Sequence, residues 1–237
     1  MTEHTVKAFG EKLEALTTAV AQVGGLAETQ LADAIEAISR RDNARAEAVI
    51  ASDRRVDLMQ YQIEDQALKL LALRQPMAVD LRETLAALKM ASELERIGDL
   101  AKNIAKRAIV LNREPPIRLA QSLARMGRQV LAQLKQVLDA YARRDAASAE
   151  AVWKQDGEID EMYNSLFREL LTYMMEDPRT IGLCTHLLFV AKNIERAGDH
   201  CTNVAETVYY MVSGDHLAVD RPKADVTSET SVPYGHT

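Results

Sequence analysis

Carboxylates four residues apart recur through this sequence as Asp53/Asp57, Glu95/Asp99, Asp156/Asp160 and Glu195/Asp199. On a helix that spacing puts both members of a pair on one face. Like charges so placed repel, and more strongly where water is excluded, so each pair needs a counter-charge. Three answers are open. Arg96 and Arg196, one position along, could pair with carboxylates across an interface. A bound cation could sit among the oxygens, which suit magnesium, manganese, calcium or ferric iron better than zinc, since zinc usually takes some nitrogen or sulfur. The acidic groups could instead line a solvated groove. His200 directly follows Asp199 and could add a nitrogen ligand. Cys201 falls on a small-residue stripe and reads as core. Met90, Met174 and Met175 read as gap-fillers.

Other chemistry is missing. The sequence has no glycine-rich phosphate loop, no H-E-x-x-H and no G-x-S-x-G. It has no Glu-x-x-His, the pair that supplies nitrogen ligands in helical di-iron sites. A carboxylate-bridged metalloenzyme is therefore the weaker alternative, and a non-catalytic binding protein the stronger.

The elements that must hold these groups are helices in two copies. Arg40-Arg41-Asp42, Ala46-Glu47-Ala48-Val49, Asp53, Asp57 and Met59 return 103 positions later as Arg143-Arg144-Asp145, Ala149-Glu150-Ala151-Val152, Asp156, Asp160 and Met162. Glu95-Arg96-Ile97-Gly98-Asp99 and Asn103 return 100 positions later as Glu195-Arg196-Ala197-Gly198-Asp199 and Asn203. Periodicity and breakers predict three helices per copy, at about 5–39, 43–74 and 78–112, then 117–142, 146–174 and 179–212. Asp42 and Asp145 are expected as N-caps, Pro76, Pro115-Pro116 and Pro178 as breaks, and Gly214 as the last C-cap. The expected units are 1–113, 114–214 and a flexible tail, 215–237.

Within the third helix, Leu81, Leu85 and Leu88 form one stripe that leads to Ser92, Glu95, Asp99 and Asn103. That continuity predicts a sheltered position for the first acidic pair. A second stripe of small residues runs through Ala87, Ala91, Leu94, Gly98, Ala101 and Ala105. A glycine at the same mid-helix point in both copies predicts close packing or space for a ligand.

Composition agrees with an all-α chain. Hydrophobic residues make up 47% and aromatic residues 5%, with only 10 Gly and 6 Pro in 237 residues. The net charge of −6 argues against a non-specific nucleic-acid binder. Two cysteines fit a reducing compartment, and no signal peptide or membrane span can be drawn, so a cytoplasmic location is expected.

Several of these runs occur together in one known family. Gln75-Pro76-Met77-Ala78-Val79-Asp80-Leu81-Arg82, Glu95-Arg96-Ile97-Gly98-Asp99, Glu195-Arg196-Ala197-Gly198-Asp199-His200, Asn203-Val204-Ala205-Glu206 and Tyr209-Tyr210-Met211-Val212-Ser213-Gly214 resemble the PhoU family in order and separation, over about residues 5–215. The resemblance implies two pseudo-symmetric three-helix bundles. It implies metal ions (magnesium, manganese, iron or zinc) at Glu95/Asp99 and Glu195/Asp199, with Asp57 and Asp160 as companions. Asp53, Asp156, Asn103, Asn203 and His200 are weaker candidates. It also implies an adaptor, commonly dimeric, that couples the ATPase subunit of a phosphate transporter to a membrane histidine kinase. Arg82, Arg96 and Arg196 are its candidate partner-binding residues. In the second copy Asp177-Pro178-Arg179-Thr180 replaces the Gln-Pro run, so the two halves need not meet partners alike.

Overall fold

Aspartate caps begin a helix at the same point of each copy. Asp42 Oδ1 accepts the Arg45 N–H (3.0 Å) at the head of α2, Asn43–Arg74. Asp145 accepts the N–H (3.1 Å) and hydroxyl (2.6 Å) of Ser148 at the head of α5, Ala146–Lys154. Before each cap stands an arginine in left-handed backbone, Arg41 (φ 56°) and Arg144 (φ 53°), which stops the preceding helix. Those preceding helices are α1, Glu3–Ser39, and α4, Ala120–Arg143. The remaining helices are α3, Val79–Leu111, α6, Asp156–Glu176, and α7, Ile181–Ser213, with a 3₁₀ turn at Pro178–Thr180 before α7. Gly214 ends α7 at φ 82°, as expected of a glycine that can take the left-handed turn.

The computed structural model describes residues 3–74, 79–115, 119–217 and Thr227, and among these no strand occurs. Pro76 with the rest of residues 75–78, Pro116, and the expected tail beyond residue 217 except Thr227 lie outside the described residues.

One expected element is divided. The helix anticipated over 146–174 breaks at Gln155, whose φ of −86° and ψ of 0° leave the helical region. Gln133, buried on α4, donates its amide to the Gln155 carbonyl (3.2 Å), which also accepts the Glu158 N–H (3.2 Å). A side chain inserted into the backbone ladder is a known cause of a kink. At the matching place in the first copy, Gln30 donates to the Ser52 hydroxyl (2.9 Å) instead, and α2 runs on unbroken.

Helices α1, α2 and α3 pack as one bundle, and α4, α5, α6 and α7 as the other. The bundles meet through α3 against α7 and α1 against α4. The second contact shows the pseudo-symmetry directly. A Cβ on Gly24 would collide with Leu138, lying 3.0 Å from its Cδ1, and a Cβ on Gly127 would lie 2.8 Å from Ile35 Cγ1. Each glycine and each partner is the 103-position counterpart of the other. A large side chain on each helix thus enters the notch left by the other's glycine, which brings the helices close. The small-residue stripes of α3 and α7 are fully buried, with Leu94, Ala101, Ala105, Cys201 and Ala205 at 0% exposure.

Two expectations about apolar residues are corrected. Leu81 and Leu85 are 37% and 42% exposed, because α3 turns its neighbouring small-residue stripe, not the leucines, into the core. Met90 is buried, but Met175 is 63% exposed near the end of α6, where no helix covers it.

Candidate functional site

Because α2 lies against α3, Asp53 and Asp57 come beside Glu95 and Asp99. A cation does stand among them, and it belongs to the chain. Lys102 Nζ, on α3, bonds Asp53 Oδ2 and reaches Asp99 Oδ1 at 3.4 Å. Asp53 is almost wholly buried and Asp99 half exposed, so the ammonium bridges the interior and the rim. Its pKa is raised, first by the hydrogen bond to Asp53. Burial, then the charges of Asp99 and Asp57, push Glu95 up. Burial, then Asp53 and Asp99, push Asp57 up.

The second copy repeats the carboxylates but not the lysine. The position of Lys102 carries Thr202, whose hydroxyl donates to the buried Asp156 at 2.9 Å. Asp53 and Asp156 are thus held from one place on α3 and α7, by an ammonium in one bundle and a hydroxyl in the other. The second bundle's lysine comes from a different place. Lys192, one turn before Glu195, bonds its Oε1 at 2.9 Å and lies 4.8 Å over the Tyr163 ring. Glu195 is 4% exposed, and its Oε2 has no hydrogen-bond partner. Burial above all, with Asp199 and Asp160 nearby, raises its pKa to about 6.

Of the three answers the sequence left open, the ion pairs formed are with lysines, and Arg96 acts on Glu95 only as a nearby charge. Arg96 and Arg196 are exposed. Lys102 and Lys192 were legible as candidates, since each lies three residues from a carboxylate on its own helix, a spacing that lets side chains meet.

His200 and Asn203 both engage Glu93. His200 Nδ1 meets Glu93 Oε2 at 2.7 Å, and Asn203 donates to the same oxygen at 2.9 Å. Both reach from α7 to α3 and tie the bundles together. Burial opposes the charge on Glu93, but these hydrogen bonds outweigh it and hold its pKa low. Asn103, the counterpart of Asn203, is exposed. A second tie across the bundles runs from Arg144 to the buried Glu83 at 2.7 Å. Arg82 lies apart from both patches, against the turn at Gly214.

The metal that the resemblance implies meets a mixed answer. Carboxylate oxygens are the right donors for a hard ion. Their arrangement does not fit one. Among the described residues no three His, Cys, Asp or Glu side chains converge to hold a metal, and in the first patch an ammonium stands between two of the carboxylates. As they stand, the first patch is a salt bridge that ties α3 to α2, and in the second the Thr202–Asp156 hydrogen bond and the Lys192–Tyr163 contact tie α7 to α6.

The two repeated glycines differ in their surroundings. A Cβ on Gly98 would lie 2.9 Å from Gln30 Oε1, whereas on Gly198 it would meet Ile159 and Val130 at 3.5 and 3.6 Å, ordinary contact distances. Replacing a mid-helix glycine by alanine gains about 1 kcal/mol where space allows. Gly198→Ala is expected to raise stability by about that amount, and Gly98→Ala to raise it less or lower it. Urea unfolding of both variants checks this, and equal shifts would refute the packing difference.

Comparison with known proteins agrees with this duplicated architecture. A family model described as the PhoU domain matches residues 20–108 and again 123–208. A phosphate-specific transport system accessory protein PhoU homolog of Caulobacter vibrioides is 57% identical over 230 residues, covering 97% of this chain and 100% of the relative. A Rhizobium meliloti protein of the same description is 51% identical over 226 residues, 95% of each chain. The crystal structure of PhoU from Pseudomonas aeruginosa superposes with a TM-score of 0.85 at 38% identity, covering 87% of this chain and all of that one. The phosphate transport system regulatory protein PhoU from Streptococcus pneumoniae gives 0.81 at 28% identity, covering 89% of this chain and all of that one. With the domain matched twice and such identity along nearly the whole chain, the protein belongs to the PhoU family.

Proposed function

We propose that this protein is a negative regulator of phosphate uptake and of the phosphate-starvation regulon, acting as an adaptor between a high-affinity phosphate transporter and a histidine kinase. The observation that carries the reading is likeness along nearly the full length to proteins described as accessory to phosphate-specific transport. The transporter's ATPase subunit and the kinase are the partners, met at the cytoplasmic face, with a homodimer as the working unit. Among the described residues no helix is long and apolar enough to cross a membrane, which agrees with attachment through partners.

The geometry favours docking over turnover. The acidic patches bind their own lysines, and His200, the one histidine beside a repeated acidic pair, is engaged with Glu93.

Deletion of the gene is expected to raise phosphate uptake and alkaline phosphatase in cells grown with abundant phosphate. Restoring the full chain is expected to return both to the repressed level. Repression that survives deletion would rule the reading out. Binding of the purified protein to the ATPase subunit and to the kinase's cytoplasmic region is the direct check.

A further inference from the structure

Leu85, exposed near the head of α3, borders an open groove. It lies between the first turns of α3 and the last turns of α7, holds about 540 Å³, and is lined by Arg82, Leu85, Lys89, Thr207, Tyr210 and His216, among others. That volume lies in the range that takes a ligand or a few side chains.

Its counterpart in the pseudo-symmetric copy carries an aromatic ring and an arginine. A shift of 100 positions, with α3 and α7 exchanged, turns Lys89 into Phe189 and Thr207 into Arg107. There the Arg107 guanidinium lies 4.2 Å over the Phe189 ring, and its Nη1 meets His186 Nδ1 at 3.3 Å. Phe189 is 49% exposed, so the second position pairs a ring with a guanidinium at the surface. At the first position the chain supplies a lysine and a threonine, and the groove stays open.

Charge narrows the occupant. Arg82 Nε is buried without a hydrogen-bond partner, and the guanidinium is packed against Gly214, where a Cβ would lie 3.4 Å from its Cζ. Among the described residues no carboxylate pairs with Arg82 or Lys89, although the chain's net charge is −6. The acidic lining residue, Glu206, accepts a hydrogen bond from Trp153 Nε1 at 3.0 Å. The wall is thus apolar at Leu85 and Tyr210 and cationic at Arg82 and Lys89.

We propose that this groove docks a segment of a partner protein presenting a bulky apolar side chain beside a carboxylate. The apolar group enters against Leu85 and Tyr210, and the carboxylate pairs with Arg82 and Lys89. Arginine suits such a pairing because its planar fork grips a carboxylate with two hydrogen bonds. The proposal rests on the adaptor reading above and names the surface that reading uses.

The test measures binding of the full chain to its two whole partners and to overlapping peptides covering their cytoplasmic surfaces. The bound peptides are expected to be acidic and to carry a bulky apolar residue. Arg82→Glu with Lys89→Glu is expected to weaken that binding at least about tenfold, as losing a desolvated charge pair does. Lys89→Glu alone changes an exposed side chain and keeps the comparison valid if the double variant misfolds. Groove variants that bind whole partners and peptides like the parent would overturn the docking surface and leave the adaptor reading standing. A parent that binds neither whole partner would bring down the adaptor reading and the proposal with it. Competition by a peptide of residues 218–237 for the same peptides would make the chain's own end the occupant, which also overturns the proposal.

Discussion

Lys102→Met is expected to cost about 3 kcal/mol of stability at neutral pH, the low end of the range for stripping one partner from a buried ion pair. The lower end applies because the lysine side chain is 28% exposed while Asp53 is 8% exposed. Methionine keeps the aliphatic stem packed but leaves Asp53 a buried carboxylate without its ammonium. The expected signature in urea is a lower midpoint with an unchanged slope. The pH dependence follows from the raised Lys102 pKa. A lysine whose folded pKa lies above its unfolded value of about 10.4 contributes stability that is complete below that value and fades as pH rises through the folded pKa. The parent should therefore lose stability at strongly alkaline pH, and the methionine variant should lack that part of the loss. A variant within about 0.5 kcal/mol of the parent, the ordinary scatter of surface changes, would show that Lys102 is not the counter-ion of Asp53.

The opposite sign is expected in the second bundle. Glu195→Gln should raise stability at pH 7 by about 2 kcal/mol, the equivalent at 1.36 kcal/mol per unit of a pKa raised from the ordinary 4.5 to about 6. Between about pH 4.5 and 6 the folded protein holds a proton on Glu195 that the unfolded chain has released. The folded state is thus favoured at the acid end of that window and disfavoured by the buried charge above it. The glutamine never ionises, so its stability curve should lack the fall that the parent shows across the window. The glutamine carbonyl can still accept from Lys192, and its NH₂ group replaces the unpartnered Oε2 with a donor beside Asp160 and Asp199. Lys192 is 38% exposed and also rests on the Tyr163 ring, so water can share its charge. Parallel unfolding curves across that pH range are the check, and two curves of the same shape would refute it.

Together these two variants distinguish stabilising from tuned charge. Breaking the first network should weaken the bundle, whereas neutralising the second should strengthen it.

Much of the architecture was written in the chain. Two offsets, 103 and 100, revealed the duplication, because a duplicated core must keep its caps and packing residues in step. Asp42, Asp145 and Gly214 marked real helix ends, since capping is a local interaction between neighbours in sequence. The meeting of Asp53 and Asp57 with Glu95 and Asp99 also followed, once α2 and α3 were known to be neighbours. What local pattern could not supply was the partner of each long side chain. Lys102 rather than an arginine holds Asp53, His200 turns across the bundles to Glu93, and Gln133 breaks a helix that the equivalent Gln30 leaves whole. The exposure of Leu81 and Leu85 likewise depended on which of two adjacent apolar stripes the neighbouring helices covered. Periodicity fixes that a helix has an apolar face. Only the packed arrangement of the other helices decides which face is buried, and which charge ends beside which.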